Sequence, residues 1–153
     1  MPKEKFNVYD VASEVVELLK PLADERKIAM EIEGEHVTYE GPRQLLQEVI
    51  YNLCDNAIKY NVEEGSVKIT IGHDPEEPGK ITIDVSDTGI GIPPESQDRI
   101  CERFYRVDKS HSKKIGGTGL GLSIVKHAVQ SMGGEVSLES APGEGTSIKV
   151  SLT

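Results

Sequence analysis

Residues 47–61 read QEVIYNLCDNAIKYN, and two helical patterns run through this stretch at once. One face is apolar at the spacing of a buried helix and comprises Val49, Ile50, Leu53, Ala57 and Ile58. A second face carries Asn52, Asn56 and Lys59 over two turns. Amides are poor helix formers, so their repetition suggests a ligand. Two interpretations stay open here: amide oxygens that bind Mg²⁺ beside a phosphate-binding lysine, or a solvated face that carries two asparagines.

The composition favours one soluble globular domain over residues 1–153. The chain is 37% hydrophobic and 28% charged, and its 17 basic against 26 acidic residues give a net charge of -9. That charge disfavours nucleic acid and anionic membrane surfaces as partners. No apolar run has the length of a membrane helix, and the N-terminus lacks the pattern of a signal peptide. We therefore expect a cytoplasmic, monomeric domain without direct membrane contact.

Before the helix at residues 47–61, the N-terminal part of the sequence predicts one further helix and two strands. The preceding helix begins at Asn7 or Asp10, and Pro21 should bend or split it. Its apolar face is predicted to contain Val11, Val15, Leu18, Leu19 and Leu22. Residues 28–40 predict a short hairpin or two successive edge strands.

The C-terminal half predicts strands that come in pairs. Alternating apolar residues indicate strands over 66–72 and 80–87, and again over 135–140 and 146–152. Helices are predicted from about Glu95 to Cys101 and over 119–132. This order predicts a two-layer α/β sandwich, with a mixed, mostly antiparallel sheet covered on one face by about three helices.

A glycine-containing turn follows the strand that ends near Asp87. Residues 86–93 read SDTGIGIP, in which Gly89 and Gly91 permit close approach to a flat ligand. A carboxylate at a strand end can accept a hydrogen bond from the exocyclic amine of adenine. The alternative is a tight turn that Asp87 merely caps.

A second glycine cluster, GGTGLG at residues 116–121, runs straight into a helix. Backbone N–H groups at such a helix start bind anions. The preceding residues 103–114 contain five basic residues and one acidic residue, which favours phosphate as the anion. The polar stretch 107–117 is predicted to be a mobile lid rather than a solvated loop.

These four motifs, in this order and spacing, resemble the N, G1, F and G2 boxes of bacterial sensor histidine kinases. The matching segments are NLCDNAIKY, DTGIGI, ERFYRVD and GGTGLGL. The resemblance implies the Bergerat ATP-binding sandwich shared with gyrase, Hsp90 and MutL, and ATP and Mg²⁺ as cofactors. Cys101 and Pro42 depart from the family pattern, where phenylalanine and aspartate are common, but both are packing or capping positions.

Carried over to the helix, the resemblance implies that Asn56 ligates Mg²⁺ and that Asn52 lies beside the metal and phosphates. It also implies that Lys59 contacts phosphate and Tyr60 packs by the nucleoside. Glu48 matches no catalytic residue of the family, and we expect it to be structural.

For the base and phosphates, the resemblance implies that Asp87 binds the adenine amine. It implies a pocket lined by Gly89 and Gly91, with Thr146 near the adenine and Arg106 reaching the γ-phosphate. The residues implied to hold the phosphate chain are Gly117, Thr118, Gly119, Leu120 and Gly121.

Position 52 favours a kinase over a hydrolase. The hydrolases of the superfamily resemble one another in having a glutamate four residues before the metal-binding asparagine, and this chain has Asn52, which cannot act as a base. The family acceptor is a histidine in a motif resembling SHELRTP on a dimerisation domain, and no such motif occurs in these residues. We therefore expect a catalytic module of a two-component system. It would phosphorylate a partner's histidine for relay to a response regulator, but would not phosphorylate itself.

Three alternatives remain open: an ATP-gated switch of the gyrase type, a folded module that binds no nucleotide, and a serine kinase of the anti-sigma type.

Overall fold

A computed structural model of the chain describes residues 3–89, 121–141 and 145–153. Within these residues, three helices lie side by side against one face of a five-stranded sheet. Two further short strands form a separate small sheet next to the N-terminal ends of the first two helices. The predicted two-layer α/β sandwich with a mixed, mostly antiparallel sheet is confirmed.

The helices are α1 (Val8–Glu25), α2 (Arg43–Lys59) and α3 (Gly121–Ser131). Asn7 caps α1, because its side-chain oxygen accepts a hydrogen bond from the backbone N–H of Tyr9 at 2.9 Å. The helix that the sequence predicts around residues 47–61 is α2, and it lies between α1 and α3.

The large sheet has the strand order β2-β4-β5-β7-β6. Its strands are β2 (Ala29–Gly34), β4 (Ser66–His73), β5 (Ile81–Asp87), β6 (Glu135–Ala141) and β7 (Gly145–Leu152). Strand β2 pairs parallel with β4, and the other neighbours are antiparallel. The small sheet pairs β1 (Glu4–Asn7) with β3 (Thr38–Gly41).

The core lies between the sheet and the helices. Strands β4, β5 and β7 turn alternate apolar side chains toward the helices, as their period of two requires. The largest side chains of this core are Leu46, Ile50, Leu53, Ile58, Ile69, Ile71, Ile83 and Leu152. The opposite face of the sheet is polar, and there Asp84 accepts hydrogen bonds from the hydroxyls of Ser86 and Ser147 at 2.8 Å each.

Three features differ from the sequence predictions. Strand β1 was not predicted, and its pairing with β3 decides between the two alternatives for residues 28–40: they form two successive strands, with β2 at the edge of the large sheet, and the hairpin is excluded. Helix α1 is not split at Pro21, since Leu19 and Ala23 on either side of it are buried and hold the helix in place. Leu18 is 61% exposed, so its assignment to the apolar face was wrong.

Two predictions lie outside the described residues: the helix from Glu95 to Cys101 and the lid over 107–117. In the part of the chain that is described, no helix is both long and apolar enough to span a bilayer.

Candidate functional site

The polar face of α2 shows three different environments. Asn52 is tied to its own helix, since its Nδ2 donates to the backbone carbonyl of Glu48 at 2.8 Å, while its Oδ1 accepts no hydrogen bond from the described residues. Lys59 forms an ion pair with Asp55, with 3.0 Å between Nζ and Oδ2. The half-buried side chain of Asn56 makes no hydrogen bond within residues 3–89, 121–141 and 145–153. Its amide oxygen is therefore the best candidate on α2 for a hard cation.

Asp87 ends β5 on the side of the sheet that faces the helices, in register with Val67 on β4 and Thr146 on β7. Its Oδ1 accepts hydrogen bonds from the backbone N–H of Gly89 at 2.8 Å and of Thr146 at 3.2 Å. The turn-capping role that the sequence left open is therefore present. It uses one carboxylate oxygen only, and Oδ2 accepts no hydrogen bond from the described residues.

Burial raises the pKa of the Asp87 carboxyl to about 6, and the two backbone hydrogen bonds partly oppose this rise. A carboxylate that is poorly solvated and has an open oxygen binds a donor of matching geometry strongly. This combination is typical of a ligand-binding group rather than of a purely structural cap.

Gly89 joins the turn after Asp87 to the end of α2. A Cβ at this position would overlap the carbonyl oxygen of Tyr60 and would lie 2.8 Å from Oδ1 of Asp87. The turn lies so close to the C-terminal end of α2 that only glycine fits at position 89. The C-terminal end of α2 and the turn that carries Asp87 thus adjoin, and they are the two walls of the candidate site.

Gly145 supports the same carboxylate from the other side. Its φ of +91° is in the region that favours glycine, and a Cβ there would overlap the backbone oxygen of Asp87. The close packing of β7 on the end of β5 places the N–H of Thr146 on Asp87.

The structure describes eight of the predicted site residues. Asn52, Asn56 and Lys59 lie on α2, with Tyr60 directly after it, and Gly121 is the first residue of α3, which packs on α2. Asp87, Gly89 and Thr146 lie at the adjoining end of the sheet. The other predicted site residues lie outside the described ranges: Gly91, Arg106, Gly117, Thr118, Gly119 and Leu120.

Three residues that the sequence analysis did not assign connect the walls of this site. Arg26 donates to backbone carbonyls at the end of α2, and the buried side chain of Asn61 accepts from the hydroxyl of Thr88. An arginine after a helix carries no sequence signal for such a contact. Asn61 and Thr88 stand next to assigned residues, but their pairing depends on the fold.

Comparison with known families identifies the class of protein. The family described as histidine kinase-, DNA gyrase B-, and HSP90-like ATPase matches residues 41–153. The chain therefore belongs to this family, and it is a catalytic domain of the sensor histidine kinase type.

Curated relatives support that class. The chain is 40% identical over 137 residues to the sensor histidine kinase WalK of Bacillus subtilis, with 90% of this chain and 21% of the relative covered. It is also 40% identical over 152 residues to the sensor-like histidine kinase SenX3 of Mycolicibacterium smegmatis, with 97% of this chain and 38% of the relative covered. The chain thus spans well under half the length of both relatives.

Solved structures agree on the fold. The catalytic domain of the histidine kinase ThkA superposes with a TM-score of 0.84 at 27% identity, covering 99% of this chain and 95% of ThkA. The mycobacterial sensor histidine kinase MprB gives 0.82 at 28% identity, covering 99% of this chain and 97% of MprB. Full-length ShkA in complex with AMPPNP gives 0.83 at 26% identity, covering 99% of this chain and 31% of ShkA.

Proposed function

We propose that this domain binds ATP with Mg²⁺ and transfers the γ-phosphoryl group to a histidine on a separate dimerisation domain, for relay to a response regulator. The observation that carries the proposal is the Asp87 carboxylate, which faces the helices, has Gly89 beside it against α2, and has an Oδ2 that accepts no hydrogen bond from the described residues. In this proposal the domain is the cytoplasmic part of a membrane-anchored sensor kinase, and residues 107–117 form its ATP lid.

Adenine is the base that fits Asp87. Its exocyclic amine is a donor, and a carboxylate oxygen is an acceptor only. A 6-oxopurine would instead present its carbonyl oxygen to this carboxylate, so two hydrogen-bond acceptors would face each other without a donor between them. The glycine at position 89 removes the side chain that would otherwise stand between the base and α2. In this assignment, Thr146 and Gly91 line the same pocket and Tyr60 packs by the nucleoside.

The amide face of α2 suits the phosphate end of the nucleotide. The half-buried Asn56 offers a hard oxygen without a hydrogen-bond partner in the described part of the chain, which fits a Mg²⁺ ligand. When bound, Mg²⁺ would neutralise charge on the phosphate oxygens. Lys59 forms an ion pair with Asp55, so its ammonium group would interact with phosphate and with the Asp55 carboxylate at the same time. Arg106 and residues 117–121 complete the phosphate site in this proposal.

Phosphoryl transfer is favoured over hydrolysis by Asn52. Its side-chain amide donates to the backbone carbonyl of Glu48 on the same helix, and a carboxamide does not take a proton from water near neutral pH. Catalysis then depends on positioning and charge stabilisation, and the nucleophile is a histidine that the partner domain brings. ShkA, which is similar in structure, is known in complex with AMPPNP, and this supports nucleotide binding here.

Two measurements test this function. Calorimetry with Mg²⁺ and a non-hydrolysable ATP analogue should detect binding to the isolated domain, and its absence would leave only a nucleotide-free interaction module. Labelled ATP should transfer phosphate to a histidine-bearing dimerisation domain added in trans, while the domain alone stays unlabelled. Stable labelling of the isolated domain would contradict the proposal.

Asn52→Glu tests the hydrolase alternative, because it supplies the missing base and should introduce ATP turnover if the rest of the site suits water attack.

A further inference from the structure

The C-terminal end of α2 is capped by a side chain that lies directly after α1. The last carbonyls of a helix lack hydrogen-bond donors within the helix, and they also benefit from a positive charge, which interacts favourably with the negative end of the helix dipole. Arg26, directly after α1, supplies both: its Nη1 donates to the carbonyls of Ile58 and Lys59, the latter at 2.9 Å, and its Nη2 donates to that of Asn61 at 2.5 Å. Three carbonyls in four residues thus converge on one planar guanidinium.

The position of Arg26 is itself constrained. Its backbone N–H donates to the carbonyl of Ala23 at 3.1 Å, and its carbonyl accepts from the backbone N–H of Glu64 at 3.2 Å. Glu64 has a φ of 65°, so the chain after α2 turns sharply back toward α1. The Arg26 guanidinium therefore reaches the end of α2 from a backbone that is hydrogen-bonded on both its N–H and its carbonyl.

The second connection runs from the end of α2 to the turn after β5. Asn61 is only 2% exposed. Its Oδ1 accepts from the hydroxyl of Thr88 at 3.1 Å, and its Nδ2 donates to the carbonyl of Ser66 at 3.0 Å. The Thr88 hydroxyl in turn accepts from the backbone N–H of Ser66 at 2.9 Å. A buried amide with these partners holds its neighbours in one arrangement.

Together the two connections hold both walls of the site. Arg26 holds the segment that carries Lys59 and Tyr60, while Asn61 and Thr88 hold that segment against the turn that carries Asp87 and Gly89. We propose that Arg26, Asn61 and Thr88 are positioning residues that set the separation between the end of α2 and the Asp87 turn, and thereby the affinity for nucleotide. This inference rests on the proposed function.

Arg26→Met tests the first connection, since it removes the guanidinium and keeps an unbranched apolar stem. Loss of the three carbonyl contacts should weaken binding of the Mg²⁺–ATP analogue about tenfold, as expected when a charge-assisted contact is misplaced. The backbone amide resonances of Thr88 and Gly89 should shift in the nucleotide-free protein. Arg26→Lys, which keeps the charge and reaches fewer carbonyls, should recover part of the affinity.

Arg43→Met is the matched control. Arg43 also links α1 to α2, through a 2.8 Å ion pair with Glu14, but at the first residue of α2. It is roughly 24 Å from the end of this 17-residue helix. Each variant is measured at a temperature where circular dichroism shows it folded. Arg43→Met should leave both the affinity and the two resonances unchanged, whatever its effect on stability.

Thr88→Val keeps the inference testable if Arg26→Met does not fold. Valine has the shape of threonine without the hydroxyl that joins Asn61 to Ser66. It should weaken analogue binding as Arg26→Met does, while Thr88→Ser retains binding. If the unmodified domain binds the analogue and both Arg26→Met and Thr88→Val bind as tightly as Arg43→Met, the positioning role is refuted and the proposed function stands. If the unmodified domain binds no analogue, the proposed function itself fails.

Discussion

The substitution Asp87→Asn separates the ligand-binding role of this side chain from its role in the turn. Oδ1 accepts two backbone N–H groups, so the asparagine must place its carbonyl oxygen there to keep both hydrogen bonds. Its NH₂ group then occupies the position of Oδ2. A donor thus replaces an acceptor at the point where the adenine amine is proposed to bind, at nearly constant shape.

The expected loss of affinity follows from one hydrogen bond to a charged group. Such a bond contributes about 1.5–3 kcal/mol, so the analogue of ATP should bind roughly 10- to 100-fold more weakly. A 6-oxopurine nucleotide presents an acceptor at the same place and should gain affinity. The ratio of ATP to ITP affinity should therefore fall by more than the ATP affinity alone.

The same change should make the folded domain more stable at neutral pH. The folded-state pKa of Asp87, about 6, lies above the ordinary value of 3.8. As pH rises, the unfolded carboxyl loses its proton first, so the free energy of unfolding falls between about pH 4 and 6 and stays lower above that range. The difference corresponds to roughly 3 kcal/mol as an upper limit. An uncharged asparagine avoids this cost, so Asp87→Asn should stabilise the domain at pH 7 and be nearly neutral at pH 4.

Calorimetric titration with ATP and ITP analogues, combined with denaturant unfolding at the two pH values, checks both effects. Asp84→Asn is the control, because Asp84 lies on the same strand and its side chain accepts from two serine hydroxyls on the opposite face of the sheet. The control should leave nucleotide selectivity unchanged. Equal ATP affinity in Asp87→Asn and the unmodified domain would refute the adenine assignment, whatever happens to stability.

Three further outcomes are expected. Gly89→Ala should destabilise the domain and weaken nucleotide binding, because the new methyl group would overlap the carbonyl of Tyr60. In thermal melts its control Gly79→Ala, with open space around the added methyl group, should match the unmodified protein. Asn56→Ala should remove the enhancement of analogue affinity by Mg²⁺ without lowering the melting temperature, and an enhancement that persists would exclude Asn56 as a ligand. Analogue binding should weaken as pH falls through about 6, where Asp87 takes up its proton, and a flat profile from pH 5 to 8 would contradict its role as an acceptor.

Local patterns were sufficient for the elements that bury one face. The apolar period of α2 and the alternation along β4, β5 and β7 report burial directly, so the helix, these strands and the order of the site motifs followed from the sequence. The resemblance of the motifs also identified the family that the comparisons confirm.

Tertiary structure decided what depends on distant partners. Pairing of β3 with β1 rather than with β2, and the continuity of α1 through Pro21, reflect contacts that no local window contains. The same holds for the guanidinium of Arg26 at the end of α2, and for Oδ2 of Asp87, which accepts no hydrogen bond from the part of the chain that the structure describes. The sequence determined which side chains the site has available, because residue type sets chemistry. Only packing determined which atoms of those side chains are already engaged by the protein and which remain for a ligand.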